Sequence, residues 1–309
     1  MFSHLSTYTQ RLALLALLVG VGAATWSPAL AHLPLDAQEA IVDQELAKRP
    51  HDVNVLLQRA ALYQEEGDWD AAIAKTLEAR EHGANPMEID IALADLLRSA
   101  GLPHSAEALI ENVLRNAPGA PSALLVRARI HDDLHAPNEA AADYFAAILA
   151  TESPQPGLVV HAMESLVAVG RAEDALRLAN HVQRQTGAVV TVVLPAVAIE
   201  RKAGRPNKAL ERLDLLLEQS PRHPLWLAER AEILEELGRH QAAAALRQEV
   251  ADLIAARPAD RKGPELQQLE KKLRAPGTTA PPAKALPPNR ATSVRMPPHD
   301  NHLLQPRLQ

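Results

Sequence analysis

The sequence predicts an all-α fold, assembled as a solenoid of helical hairpins, and three observations carry that expectation. The 309 residues are 47% hydrophobic but only 3% aromatic, so the apolar content is mostly Ala, Leu and Val. Small, helix-forming side chains at this density let helix axes approach closely, whereas an all-β fold would lean on β-branched and aromatic residues. Glycines recur after helix-forming stretches at Gly67, Gly101, Gly170, Gly204 and Gly238, at intervals of 34, 69, 34 and 34. Five positions after each of these steps stands an alanine.

His135 fills the missing step, 34 residues after Gly101 and 35 before Gly170. The alanine column then reads Ala72, Ala106, Ala140, Ala175, Ala209 and Ala243. Seven positions before the turn come Ala60, Ala94, Ala128, Met163, Val197 and Ala231, and seven after the alanine come Ala79, Val113, Ala147, Val182, Leu216 and Val250. A hairpin with one apolar face cannot bury that face alone, so stacking of successive hairpins supplies the core. The small residues belong where two helices cross, because larger ones push the axes apart. The glycines end each first helix in a left-handed conformation that Gly adopts without strain. Met163 and Val197 break the small column, which predicts looser packing in the fourth and fifth units. Pro195 falls inside the first helix of the fifth unit and the segment from Val189 to Val193 is β-branched, so a kink or a hinge is expected there.

These segments resemble tetratricopeptide repeats, which pair two antiparallel helices in about 34 residues. Segment 53–86 matches best, through Leu56, Ala60, Tyr63, Gly67, Ala72 and Ala79; segment 190–223 offers Ala209, Leu213, Leu216 and Pro221. Pro118 and Pro221 fall at the family's closing position, with Pro86, Pro154 and Pro258 two or three residues late. The resemblance implies a right-handed α-solenoid of about six repeats over residues 53–258. A capping helix is expected at 32–52, where Asp36 is placed to cap and Ala37, Ala40, Ile41 and Ala47 share a face with Leu46 off it. A second short helix is expected at 259–274, where Leu266, Leu269 and Leu273 recur at helical spacing.

The ends read differently. Residues 1–31 resemble a secretory signal peptide, with Arg11, an apolar stretch from Leu12 to Ala24 and a cleavage pattern at Ala29-Leu30-Ala31. That stretch is short of the ~20 residues that span a bilayer, so cleavage after Ala31 and a periplasmic or secreted location are expected, with retention as an anchor the alternative. No other stretch calls for membrane insertion. Residues 275–309 hold eight prolines and no apolar period, which predicts a disordered tail. Residues 32–256 carry a net charge of −13 and residues 257–309 a net charge of +6; an acidic body repels phosphate backbones and argues against nucleic acid as a partner.

Catalytic chemistry finds no foothold. The chain has no cysteine, which removes disulfides, thiolate catalysis and Cys-ligated metal, and no phosphate-cradling loop, His-Glu-x-x-His or Gly-x-Ser-x-Gly occurs. A non-enzyme without a cofactor is expected. His131 and His135, four apart around Asp132-Asp133, are a weak metal pair: two ligands fall short of a closed site, and His135 occupies the helix-ending column.

By resemblance, the first helices line a concave groove that receives a protein partner. The matching positions are Asn54, Leu57, Ala61 and Gln64; Glu88, Ile91, Asp95 and Arg98; Ser122, Leu125, Arg129 and Asp132. The later units supply Gly157, Val160, Glu164 and Val167; Thr191, Leu194, Ala198 and Arg201; Leu225, Ala228, Glu232 and Glu235. The carboxylate clamp of the family's chaperone-binding branch is absent, since Leu57, Ala61 and Glu88 stand at its positions. Leu57, Ile91, Leu125, Val160 and Leu194 form either an apolar strip for a partner helix or extended segment, or part of the core. The expected function is a protein-binding scaffold in the bacterial envelope. A structural subunit of an envelope assembly or secretion complex, or a periplasmic metal-handling protein, are the alternatives.

Overall fold

A computed structural model describes residues 33–274; the signal-peptide and tail expectations, at 1–31 and 275–309, lie outside the described residues. Within them the protein is an all-α repeat solenoid of fourteen α-helices and no strand. A leading helix α1 (Leu35–Lys48) precedes six hairpins: α2 (Val53–Glu66) with α3 (Trp69–Glu81), α4 (Pro86–Ser99) with α5 (Pro103–Asn116), and α6 (Pro121–Asp133) with α7 (Pro137–Leu149). Then come α8 (Pro156–Ala168) with α9 (Ala172–Thr186), α10 (Val190–Lys202) with α11 (Pro206–Gln219), and α12 (Pro224–Glu236) with α13 (His240–Ala255). A closing helix, α14 (Pro264–Arg274), packs against α12 and α13.

The turn inside every hairpin is built the same way. In the first, Gly67 has φ +80°, its N–H donates to the Gln64 carbonyl, and the Asp68 N–H donates to the Tyr63 carbonyl at 2.9 Å. This is the Schellman arrangement that satisfies the last carbonyls of a helix. The same long bond recurs from Leu102 to Leu97, Ala136 to His131, Arg171 to Leu166, Arg205 to Glu200 and Arg239 to Leu234. His135, standing in the glycine column, takes φ +58° and is the single non-glycine with positive φ among the described residues.

Helix starts are marked by two chemistries. Asp52, Asp68 and Asn85 accept backbone N–H bonds at the starts of α2, α3 and α4. Most later helices open instead on proline, whose missing N–H is no loss in a first turn. Pro86, grouped above with the repeat-closing prolines, in fact opens α4. Asp36 does not cap α1, which starts one residue earlier after Pro34; it lies in the first turn, where its charge suits the helix dipole.

All three columns of the repeat are interior. Ala72, Ala106, Ala140, Ala175, Ala209 and Ala243 have no exposed surface, and the columns beginning at Ala60 and Ala79 are buried throughout. In α1 the expected face is corrected: Gln38 and Val42 are buried with Leu35 and Leu46 beside them, while Ala40 and Ala47 are exposed. Burying Val42 and Leu46 removes more apolar area than burying alanines does, so the larger side chains decide the rotation.

The two helices of the fourth hairpin and those of the fifth are less closely apposed than in the other four, in the direction that Met163 and Val197 in the small column predict. α10 remains helical through Pro195. Its two faces belong to different core clusters, Val192, Ala196 and Ile199 to the preceding one and Val193 and Val197 to the following one. A similar division falls on α4, with Ile89 and Leu93 on one side and Ile91 and Ala94 on the other. Between α9, α10 and α11 a cavity of ≈ 440 Å³ opens. Glu200, almost wholly buried, lies on its wall and is held by Arg205 Nε at 2.7 Å and Arg212 Nη2 at 3.3 Å.

Candidate functional site

The first helices of the hairpins bring the expected docking positions onto one series of elements, but not all of those positions reach the surface. Leu57, Val160 and Leu194 are half-buried, whereas Ile91 and Leu125 are buried within the long central core cluster. The second and third units therefore spend their apolar position on the interior, and the first, fourth and fifth keep it partly open. Asn54 and Glu164 are exposed; Arg98, Arg129, Arg201 and Glu232 are half-buried; Asp95 is buried.

The polar positions join into rows that run from one repeat to the next. Gln64 Nε2 donates to Ser99 Oγ at 3.4 Å, tying α2 to α4. Arg98 donates through Nε to Asp95 at 2.9 Å and through Nη1 to Asp133 at 3.0 Å, tying α4 to α6. Arg129 stands 3.8 Å from the same Asp95. Burial opposes the charge on Arg98, but Asp95 and Asp133 outweigh it and raise its pKa. Asp132 accepts the Tyr144 hydroxyl at 2.7 Å and lies 3.9 Å from His161 Nε2 on α8. Burial works against ionised Asp132, yet the nearby His161 ring and the bond from Tyr144 hold its pKa below the ordinary value. The Tyr144 phenol is pushed far up by burial and by Asp132, so it stays protonated as a donor.

The row then stops. Among the described residues no hydrogen bond or ion pair joins α8 to α10, and Glu164 has no partner. Beyond the gap, Arg201 on α10 engages Glu229, Glu232 and Glu236 of α12, with Glu232 at 3.5 Å. The bond to Glu236 is the largest cause of the raised Arg201 pKa. Lys272 of α14 ends the row on Glu232. Three of these links, Gln64–Ser99, Arg98–Asp133 and Arg201–Glu236, span 35 residues, one repeat and one position. Ser99, Asp133, His161, Glu229 and Glu236 were not among the expected groove residues. Opposite charges separated by one repeat in the last turn of successive first helices are the signal that could have found two of them, Asp133 and Glu236.

The histidine pair does not assemble. His131 is helical and half-buried, with Nδ1 3.2 Å from Asp143 and Nε2 3.8 Å from Glu107. His135 lies past the end of α6 in the left-handed turn, so the two rings do not share a helical face. No three His, Asp or Glu side chains converge as a metal site among the described residues. Asp143 is instead gripped by Arg127 through two bonds, at 2.8 and 2.7 Å.

Residues 91–156 and 199–260 match the family model described as tetratricopeptide repeat. In structure the chain is similar to the C-terminal part of a TPR repeat-containing protein from Cytophaga hutchinsonii, at 11% identity over 85% of this chain and 98% of that one, with a TM-score of 0.50. It is also similar to Pseudomonas aeruginosa pilF, at 14% identity over 71% and 97% with a TM-score of 0.43. A tetratricopeptide repeat protein from Parabacteroides merdae aligns at 15% identity over 72% and 98%, with a TM-score of 0.40. No curated protein matches the sequence.

Proposed function

We propose that the chain is a non-enzymatic, protein-binding scaffold of the bacterial envelope whose first-helix face holds a partner helix or extended segment, a reading supported by the match of residues 91–156 and 199–260 to the tetratricopeptide-repeat model. The observation that carries this reading is the set of side-chain links that join neighbouring first helices along that face, from α2 to α8 and again from α10 to α12. Rows such as Arg98–Asp133 and Arg201–Glu236 fix successive first helices side by side. A surface of that kind is preorganised and loses little entropy when a long ligand lies across it.

The open apolar positions Val160 and Leu194 flank exposed Ala198 and Glu164 on α8 and α10, which gives a partner both an apolar contact and a charge to read. Export rests on the pattern in residues 1–31. N-terminal sequencing of protein from an envelope fraction should begin at His32; an intact Met1 in the cytosolic fraction would sink that part.

Native affinity capture tests the scaffold itself. A scaffold recovers clients below one-to-one ratio, and Ala198→Arg abolishes their recovery, while Leu77→Arg on α3 leaves it unchanged. Recovery of one fixed complex at constant ratio would favour the structural-subunit alternative, and insensitivity to Ala198→Arg would move docking off this face.

A further inference from the structure

We propose that residues 284–296 of this same chain dock across α8, α10 and α12, occupying in cis the part of the first-helix face where the polar row is interrupted. The inference rests on the reading of that face as the docking surface. It starts from the gap itself. Between α8 and α10 the face offers half-buried Val160 and Leu194, and Glu164 has no partner among the described residues. Immediately beyond it, Glu229, Glu232 and Glu236 share Arg201 and Lys272, three acids against two cations. The patch is acidic with apolar relief, and its partner should be basic and apolar.

Residues 284–296 have that composition. They carry Lys284, Arg290 and Arg295 with no acid, interleaved with Leu286, Val294 and Met296. The point of departure is right as well. α14 ends at Arg274 packed on α12 and α13, and its Lys272 already reaches Glu232 on the docking face, so the chain leaves the solenoid beside the patch. From Arg274 to Lys284 an extended backbone covers at most about 35 Å. Crossing from α12 to α8 takes two first-helix steps of roughly 10 Å each. Tethering this close gives an effective concentration on the order of millimolar, so contacts too weak to hold a free peptide hold an attached one.

The chain's lack of cysteine provides the test. A nitroxide on Thr292→Cys in the full chain should broaden the methyl signals of Val160 and Leu194 while sparing those of Leu77, independently of protein concentration. Reversing Lys284, Arg290 and Arg295 together to Glu should restore the signals. The reversed chain should also bind a free peptide of residues 284–296 at least ~10-fold more tightly than the parent, whose own segment competes at effective concentration. Broadening that is uniform, that survives the reversal, or that scales with protein concentration overturns docking in cis. Because client capture and its loss in Ala198→Arg are measured separately, failure here leaves the docking-face reading standing, and failure there does not depend on the label.

Discussion

His135 is the position where one substitution should improve the fold, and the amount follows from the backbone. Five of the six hairpin turns place glycine at positive φ; the third places His135 there, at φ +58°. A residue with a Cβ costs roughly 1–2 kcal/mol in the left-handed region, while glycine gives back about 0.5–1 kcal/mol through the greater freedom of the unfolded chain. His135→Gly should therefore stabilise by about 0.5–1 kcal/mol, which for a chain of this size raises Tm by roughly 1–4 °C. The mirror substitution Gly170→His should lower Tm by a similar amount, because a Cβ built at Gly170 meets no atom within 4 Å and the cost is purely conformational. Differential scanning calorimetry on the two variants and the parent reads both. If His135→Gly destabilises, or Gly170→His is neutral, the turn is not governed by its left-handed residue and the reasoning fails.

Three further outcomes follow from buried groups. Ala106→Arg forces a long charged side chain into a helix crossing with no free surface and should cost at least about 1–3 kcal/mol from overpacking alone; an unchanged unfolding midpoint would mean the column does not lie at the crossing. Glu200→Ala leaves Arg212 without its carboxylate and Arg205 with Glu173 alone beside the cavity and should cost about 1–3 kcal/mol, seen as a lower urea midpoint, whereas Glu173→Ala, on an exposed carboxylate that pairs with Arg205, should cost under about 1 kcal/mol. His223 stacks on Trp226 at 4.1 Å, and its pKa is lowered first by burial and then by Arg257. The folded state thus prefers neutral imidazole, so this contribution is present above about pH 6.5 and is lost as the pH falls through the folded value. The fall in Tm between pH 7.5 and 5 should be shallower in His223→Gln; parallel profiles would remove His223 as the cause.

The period was legible because each hairpin repeats the same solution to the same packing problem. Ala106 and its equivalents announce themselves by being small where two helices cross, and Met163 and Val197 announced the loose units by being large there. What the sequence concealed was orientation. The expected face of α1 was the alanine-rich one, whereas the buried face runs through Val42 and packs with Val55 and Leu62 of α2. Ile91 and Leu125 sit at the same repeat position as Leu57 and Leu194 yet belong to the core, because a small turn of the helix decides which side of an apolar residue meets water. Arg98–Asp133 was readable in principle, as charge against charge one repeat apart; the halt of the row between α8 and α10 was not, since it depends on how those helices sit.

The two-faced helices α4 and α10 set how far a disturbance travels. Each hairpin in such an array leans on its neighbours alone, and at these two helices the oily contacts divide, so what loosens one block reaches the next through the shared rod and, at the first boundary, through Leu109 of α5, which packs against both sides. Damage in the last two hairpins, which share one core from α10 to α14, should stay on their side of α10, as in a folding screen whose panels swing without cracking one another.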